Sequence, residues 1–194
     1  MDCIKVGKLI LQLRKEKNMT QKQLADKLNI SDKTISKWER GNGCPDVSLL
    51  NELSEVLNVN IDKILSGEMD SNSPDGGNMK KLKFYACPVC GNIMTALGEA
   101  EISCCGRKLS PLVPKKADEE HNIKTEVIDN ELYVTFSHEM SKEHFINFVA
   151  FVTYDRLNFV KLYPEQEGAA RLPLSYRGKI YIYCNNHGLF FFNN

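Results

Sequence analysis

The feature that most constrains the fold is a thiol and an imidazole three residues apart near the C-terminus, Cys184 and His187. Gly188 follows, so the pair can lie on a tight turn and bind one metal ion together. The chain contains only three other histidines: His121, His138 and His144. Four imidazoles and one thiolate would make a full ligand set for a redox iron, with one coordination position left over, and these ligand types suit iron, copper or zinc. The alternative is that each histidine is an ordinary surface or core residue.

The composition is that of an ordinary globular chain, 42% hydrophobic and 26% charged. No apolar run approaches the ~20 residues that span a bilayer, and the N-terminus lacks the apolar core of a signal peptide. We therefore expect a cytoplasmic protein with no membrane partner. Seven cysteines in that compartment predict metal ligands rather than disulfides. Cys3 and Cys44 show no partner pattern and are interpreted as ordinary residues.

Residues 1–66 carry the pattern of a bundle of five short helices. Thr20 is the predicted N-cap of the second helix, where Gln23 completes a capping box. Ser31 caps the third helix, and the last two helices cover about residues 47–57 and 61–65. The first helix is expected to expose its basic residues on one face: Lys8, Arg14, Lys15 and Lys17.

Two short helices joined by a tight turn, the second with small and basic residues, describe a helix-turn-helix. The run from Thr20 to Gly41 closely resembles the Cro/CI-type (XRE) repressor family, over roughly residues 4–66. The resemblance implies a homodimer that binds double-stranded DNA, with the second helix of the pair in the major groove. Carried over by position, the DNA-contacting residues are Gln21, Ser31, Asp32, Lys33, Thr34, Lys37, Arg40 and Asn42. Gln21 and Asn42, helped by Arg40, would touch phosphates. The alternative is a helical bundle that mediates protein contacts.

A polar segment rich in Gly, Ser, Asn and Asp, residues 67–80, is predicted to be a flexible linker. Residues 81–114 then carry four cysteines, as a C-x-x-C loop and an adjacent pair: Cys87, Cys90, Cys104 and Cys105. Adjacent cysteines make a poor disulfide, whereas four thiolates can surround one tetrahedral metal ion. The segment resembles desulforedoxin, which holds iron. The residues alone leave iron and zinc equally open.

Residues 115–194 contain short strands separated by turn signals, which favours an all-β, immunoglobulin-like sandwich. The predicted strands cover residues 131–136, 145–153, 159–163, 172–174, 180–184 and 189–192. Asp129 and Asn130 form a turn before the first of them. His138 and His144 lie at the two ends of a loop between two strands.

Three segments resemble the three motifs of superoxide reductase: Glu119-Glu120-His121, residues 138–146 and residues 184–190. With the four cysteines in front, residues 82–194 look like desulfoferrodoxin, the two-iron form of that family. The resemblance implies a catalytic iron, Fe²⁺/Fe³⁺, held by His121, His138, His144, His187 and Cys184. It also favours iron over zinc at the four-cysteine site.

The resemblance implies an enzyme that reduces superoxide by one electron to hydrogen peroxide and is re-reduced by a donor such as rubredoxin. In this reading the DNA-binding part localises or regulates the enzyme. The alternative is a redox- or superoxide-sensing transcriptional regulator whose iron sites are sensory rather than catalytic.

Two acidic residues before the first histidine are expected to act in catalysis. Glu119 keeps the position whose carboxylate can cap ferric iron. Glu120 stands where the family usually has a lysine that attracts superoxide, so we expect slower capture of the anion. Lys115 and Lys116, a few residues upstream, could compensate. The family's His-Pro-Met and closing Trp are also replaced here, by His138-Glu139-Met140 and Phe190.

Overall fold

The chain divides into two units, Met1–Ser71 and Asn72–Asn194. This computed structural model describes residues 1–71, 79–175 and 177–193. Residues 72–78 of the predicted linker, which covers residues 67–80, therefore lie outside the described residues. Among the described residues, none of the helices is long and apolar enough to cross a membrane.

The first unit is helical. Its elements are α1 (Cys3–Glu16), α2 (Gln21–Lys27), α3 (Asp32–Glu39), a 3-10 helix (Val47–Leu49), α4 (Leu50–Leu57) and α5 (Ile61–Ser66). The capping predictions are confirmed, because Thr20 and Gln23 form a capping box and Ser31 accepts from the amide of Thr34. The segment predicted as one helix over residues 47–57 begins as a 3-10 turn.

α1 packs directly against α3, with Gly7 at the crossing. A Cβ atom on Gly7 would lie 1.9 Å from the carbonyl oxygen of Trp38, so only glycine permits this approach. Apolar residues of all the helices form one core, which includes Ile10, Ile35 and Trp38.

The expectation that Arg14 is exposed with the lysines of α1 is wrong. Its side chain is buried and forms a bidentate ion pair with Glu39, with Nε to Oε1 at 2.5 Å and Nη2 to Oε2 at 2.9 Å. Lys8, Lys15 and Lys17 are exposed as predicted. Helical periodicity could not separate Arg14 from them, because its burial depends on a partner 25 residues away.

The interpretation of Cys3 and Cys44 as ordinary residues is also wrong. The two cysteines form a disulfide, with their Cα atoms 5.0 Å apart. The packing of α1 on α3 brings the first residue of α1 to the loop that follows α3. A separation of 41 residues with no local motif hides this pairing from sequence inspection.

The second unit consists mainly of strands. They are β1 (Lys83–Ala86), β2 (Ile93–Ala96), β3 (Ile102–Cys104), β4 (Arg107–Leu109), β5 (Lys115–Lys116), β6 (Ile123–Ile128), β7 (Glu131–Phe136), β8 (Ile146–Val152), β9 (Leu157–Lys161), β10 (Ala169–Pro173), β11 (Lys179–Cys184) and β12 (Gly188–Asn193). A 3-10 helix covers Met79–Lys81. β1 pairs with β2 and β3 with β4, as two antiparallel hairpins.

Two larger sheets face a common core. One has the order β10-β7-β6 and the other β5-β12-β11-β8-β9. Side chains of both sheets meet there, among them Val134 of β7, Phe151 of β8 and Ile182 of β11. The strand at residues 123–128 was not predicted. β6 is an edge strand whose four central residues are exposed, so it lacks the alternation that marks a half-buried strand.

The all-apolar run of β8 has a specific cause. All seven of its residues are buried, because one face meets the common core and Phe84 of β1 covers the other. The rings of Phe84 and Phe148 stack with their centroids 5.3 Å apart. The four-cysteine segment thus packs on the larger sheet through the strand that precedes Cys87.

Candidate metal centres

Five donor side chains converge at one end of the two sheets. They are His121, His138, His144, Cys184 and His187, and their ligand atoms all lie within 4.8 Å of one another. His121 precedes β6, and the next two histidines lie in the loop between β7 and β8. Cys184 ends β11 and pairs with Gly188 at the start of β12. Gly188 has φ +95°, a conformation that favours glycine and closes the turn carrying His187.

Hydrogen bonds orient three of the imidazoles in the same way. His121 Nδ1 donates to Asp118 Oδ1 at 2.6 Å, and His144 Nδ1 donates to Glu139 Oε2 at 3.0 Å. His138 Nδ1 donates to the main-chain carbonyl of Glu139 at 2.5 Å. These acceptors cannot donate, so each neutral ring carries its proton on Nδ1 and has a lone pair on Nε2. Outer partners of this kind fix the tautomer of metal-binding histidines.

The imidazole nitrogens that face the centre of the group are the candidate metal ligands. The Nε2 atoms of His138 and His144 are buried and have no hydrogen-bond partner among the described residues. His121 Nε2 lies 3.1 Å from His187 Nδ1, close to the ~3.0 Å between two nitrogens each ~2.1 Å from one metal ion at a right angle. Leaving such buried nitrogens unsatisfied is unfavourable, and a metal ion would satisfy them. The donor set therefore fits a metal ion.

Burial also controls the ionisation of the donors. It lowers the pKa of His138. The hydrogen bond to the main-chain carbonyl of Glu139 and, more weakly, the charge of Glu120 only partly oppose this effect, so the ring is neutral as metal binding requires. Burial raises the pKa of the Cys184 thiol, against main-chain N–H groups of His187 and Asn186 that donate to the sulfur. A bound metal ion would deprotonate this thiol.

Two further residues contact the donors. The ring of Phe190 stacks on His121, with centroids 4.0 Å apart and an interplanar angle of 14°. Lys115 Nζ donates to the main-chain carbonyl of His187 at 3.2 Å. β5, which carries Lys115, lies parallel to β12. Lys115 is therefore the upstream lysine that reaches the site, and Lys116 follows on the opposite face of the strand.

The two acidic residues expected to act in catalysis, Glu119 and Glu120, are exposed on the turn before His121. Neither is among the five converging donors. Glu119 lines a cavity of about 270 Å³ together with Lys124 and Thr135. The described residues around that cavity include none of the five donors.

The four cysteine thiols of the first hairpins form a second group, with all sulfurs within 4.8 Å of one another. The Sγ atoms of Cys90 and Cys104 lie 3.5 Å apart, and those of Cys104 and Cys105 lie 4.0 Å apart. Four sulfurs ~2.3 Å from a tetrahedral metal ion would be ~3.8 Å apart. Cys105 and Gly106 have φ +50° and +73°, as in the two-residue turns that close hairpins. This turn lets both adjacent thiols face the same point.

The thiols in this group have different pKa values. Main-chain N–H groups of Cys90 and Val89 donate to the buried sulfur of Cys87 and lower its pKa to about 6. Contacts with the sulfurs of Cys90, Cys87 and Cys104 raise the pKa of Cys105 to about 12. A bound metal cation would stabilise all four thiolates together. Four sulfur ligands in a tetrahedron suit zinc and iron alike.

The residues predicted to contact DNA lie in and around α3. Asp32, Lys33 and Lys37 are exposed on this helix, whereas Ile35 and Trp38 face the core. Of the remaining predicted residues, Ser31, Arg40 and Asn42 are exposed and Gln21 and Thr34 are partly exposed. The side-chain amide of Gln21 donates to Glu39 at 2.7 Å, so its predicted phosphate contact would compete with this bond.

Sequence reasoning missed the residues that hold the imidazoles. Asp118 and the carboxylate of Glu139 are acids next to histidine motifs, a weak signal in a chain with 25 acidic residues. Lys115 was considered only for its charge. Which ring nitrogen each residue meets depends on loop geometry that local patterns do not specify.

Comparison with known proteins assigns both parts of the chain. A helix-turn-helix family model matches residues 10–64. The HTH-type transcriptional activator BcrR of Enterococcus faecalis is 43% identical over 77 residues, a match that covers 38% of each protein. Desulfoferrodoxin of Syntrophotalea carbinolica is 31% identical over 119 residues, which cover 57% of this chain and 94% of the relative. The chain belongs to the desulfoferrodoxin family.

The fold of the desulfoferrodoxin part agrees with this assignment. The crystal structure of the superoxide reductase from Treponema pallidum matches 58% of this chain and 98% of its own, with a TM-score of 0.51 and 20% sequence identity. The chain therefore combines a helix-turn-helix region with a part that is related to desulfoferrodoxin and has a superoxide reductase fold. These relatives do not favour the alternative of a regulator with purely sensory iron sites. The chain spans only 38% of BcrR, so the activity of that relative does not transfer to it as a whole.

Proposed function

We propose that the protein is a non-haem iron superoxide reductase with an N-terminal sequence-specific DNA-binding domain. The observation that supports this most strongly is the convergence of five donors, two of whose buried imidazole nitrogens have no partner in the part of the chain that the structure describes. The donors are His121, His138, His144, Cys184 and His187. Iron bound there would supply the electron that reduces superoxide to hydrogen peroxide. The remaining chemistry falls to the residues of the chain.

The imidazoles act as an oriented donor set. Asp118 and Glu139 hold Nδ1 of three rings, so each Nε2 lone pair points to the centre without rearrangement. Cys184 contributes the anionic ligand, and the amide of His187 donates to its sulfur at 3.4 Å. This hydrogen bond favours the thiolate over the thiol.

The charges around the site act on an anionic substrate. Four neutral imidazoles and one thiolate leave a divalent iron with a formal positive charge, which attracts superoxide. Lys115 adds a positive charge next to His187, and Glu120 adds a negative one next to His121. We propose that Glu119 and Glu120 act at the entrance to the site, because both are exposed.

We further propose that the chain has four parts. Residues 1–66 bind DNA, residues 67–80 form a linker, residues 81–114 hold the four-cysteine metal and residues 115–194 hold the catalytic iron. The first is a five-helix bundle and the last an immunoglobulin-like sandwich. Iron is the preferred metal of Cys87, Cys90, Cys104 and Cys105, with zinc as the alternative. A donor such as rubredoxin returns the electron, and the protein binds double-stranded DNA as a homodimer.

The test is superoxide consumption by the iron-loaded full chain with an electron donor. Cys184→Ser should abolish consumption above the spontaneous rate. Cys44→Ser makes the same substitution at a cysteine outside both metal groups and should leave consumption unchanged. Equal activity of the wild type and Cys184→Ser would exclude this site as the catalytic centre.

A further inference from the structure

We propose that Cys3 and Cys44 are a redox modification site: hydrogen peroxide oxidises the two thiols to the disulfide, and the disulfide tightens binding to DNA. The inference rests on the proposed function for its source of peroxide and for its DNA ligand. It concerns neither metal group. The experiment below separates a failure of this inference from a failure of superoxide reduction.

The disulfide joins two elements at one end of the helical unit. Cys3 is the first residue of α1, and Cys44 lies five residues beyond the end of α3. Both residues are partly exposed, so a small oxidant can reach the sulfurs. The bond fixes the start of α1 to the loop that follows the helix predicted to enter the major groove.

The other cysteines indicate that this disulfide forms conditionally. The five remaining cysteines, Cys87, Cys90, Cys104, Cys105 and Cys184, are free thiols, and metal binding needs them reduced. The sulfurs of Cys90 and Cys104 lie only 3.5 Å apart. Conditions that kept every neighbouring thiol pair oxidised would also oxidise these two. Because the metal groups need their thiols reduced, a disulfide that forms in the same molecule requires an oxidant that acts selectively on Cys3 and Cys44.

The loop fixed by the disulfide carries residues predicted to touch DNA. Gly41 packs on Ile4, and a Cβ on Gly41 would lie 2.8 Å from Ile4 Cγ1. Asn42, a predicted phosphate contact, lies between Gly41 and Cys44. The C-terminal end of α1 is held to the last residue of α3 separately, by the ion pair of Arg14 and Glu39. Reduction therefore removes the covalent link between the start of α1 and this loop, while the ion pair still holds α1 to α3.

A loop that is ordered before binding gains affinity, because less conformational entropy is lost on association. The disulfide should restrict the conformations that Asn42 and the neighbouring Arg40 adopt before DNA binds. We expect the oxidised protein to bind DNA about 3- to 10-fold more tightly than the reduced protein. Contacts to phosphates carry no sequence information, so the gain should extend to random-sequence DNA.

The chemistry balances with peroxide alone. The Cys3 thiol lies at the N-terminus of α1, where the helix favours the nucleophilic thiolate. This thiolate attacks one peroxide oxygen: an S–O bond forms, the O–O bond breaks, and the leaving hydroxide takes a proton to become water. The Cys44 sulfur then displaces the hydroxyl from the sulfenic acid, which forms the S–S bond and releases a second water. Two thiols lose two electrons, and one hydrogen peroxide becomes two waters.

The experiment uses the iron-loaded full chain, reduced under anaerobic conditions and then treated with a stoichiometric amount of hydrogen peroxide. Remaining thiols are alkylated, and mass spectrometry of the digest follows the peptide that joins Cys3 to Cys44. Fluorescence anisotropy with a short random-sequence duplex measures DNA binding before and after treatment. Cys3→Ser/Cys44→Ser, treated identically, controls for oxidation of the metal groups.

We expect the cross-linked peptide to appear and the affinity to rise about 3- to 10-fold in the wild type, with no rise in the double variant. Absence of the cross-link after peroxide, or equal affinity of the two wild-type forms, would overturn the proposal. The comparison of wild-type forms needs no mutation, so a folding defect in the double variant does not remove the test.

A second arm replaces peroxide with superoxide. The cross-link should form faster in the wild type than in Cys184→Ser, and catalase should suppress it in both. If added peroxide forms the cross-link but superoxide acts equally on both proteins, the thiol site stands and the proposed superoxide reduction fails.

Discussion

The carboxylate of Glu139 accepts a hydrogen bond from His144 Nδ1 at 3.0 Å. The main-chain carbonyl of the same residue accepts from His138 Nδ1. One residue thus orients two imidazoles of the metal centre. At the position of Glu139, the superoxide reductase motif that this segment resembles usually has proline, which lacks an acceptor side chain. This chain therefore fixes His144 through a charged partner.

The first prediction concerns Glu139. Glu139→Ala should lower metal affinity about 10-fold or more, the usual effect of removing an outer partner of a histidine ligand. Glu139→Gln keeps an acceptor oxygen and should recover most of the loss. Chelator competition with zinc, on protein with the four-cysteine site already filled, measures the affinity. Glu143→Ala makes the same change in the same loop, and an equal loss in that control would refute the assigned role.

The second prediction concerns the thiolate. Protein loaded with iron and oxidised should show a visible thiolate-to-iron charge-transfer band. Cys184→Ser should remove this band, because serine supplies no sulfur, while bands of a four-cysteine iron persist. Cys105→Ser should have the converse effect. Loss of both sets of bands in either variant would mean that the two groups are not independent centres.

The third prediction concerns the charges at the entrance. Glu120→Lys should raise the second-order rate for superoxide, and Lys115→Ala should lower it, because local charge steers an anion. Both effects should be larger at low ionic strength, where screening is weak. Pulse radiolysis at two salt concentrations provides the rates. Identical rates and salt slopes in all three proteins would show that neither side chain acts on the approaching anion.

The fourth prediction concerns the buried pair of Arg14 and Glu39. Burial alone would raise the pKa of Glu39, but hydrogen bonds from Arg14 and Gln21 outweigh it and the pKa is lowered. A lowered folded-state pKa means that this stabilisation is present above the unfolded pKa and is lost as pH falls through the folded one. Glu39→Gln should lower the free energy of unfolding at neutral pH by about 3 kcal/mol, because it leaves Arg14 buried and unpaired.

Trp38 allows this prediction to be measured in the full chain. It is the single tryptophan, and it is buried beside Glu39 in the helical unit. Its fluorescence during denaturant unfolding therefore reports on that unit alone. The difference in free energy of unfolding between wild type and Glu39→Gln should shrink in acid. The exposed control Glu55→Gln should unfold with nearly the wild-type free energy at any pH. If the difference for Glu39→Gln did not depend on pH, the charge assigned to the Glu39 carboxylate would be wrong.

The predictable parts of the fold depend on interactions between residues that are close in sequence. The capping box of Thr20 and Gln23, the span of α3 and the alternation of β7 are local patterns, and all three are present. The resemblance to superoxide reductase implied the histidine and cysteine donors of the first metal group, and the C-x-x-C loop with its adjacent pair indicated the four cysteines of the second. Where a chain repeats a known motif, the donors can be named without coordinates.

The remaining features depend on contacts between distant residues. Two of these features arise where α1 packs on α3: the disulfide of Cys3 and Cys44 and the burial of Arg14. No local sequence pattern predicts that helix contact. β6 was not predicted because it lies at an exposed sheet edge, where its side chains do not alternate between apolar and polar. Likewise, Lys115 reaches His187 only because β5 adds to the sheet beside β12.

The most direct test of the central claim is the stoichiometry of superoxide removal by the iron-loaded protein with an excess of electron donor. A reductase forms one hydrogen peroxide for each superoxide consumed and releases no dioxygen. We predict this ratio for the wild type and only the spontaneous reaction for Cys184→Ser. One hydrogen peroxide for every two superoxides, with dioxygen released, would indicate dismutation and contradict the account.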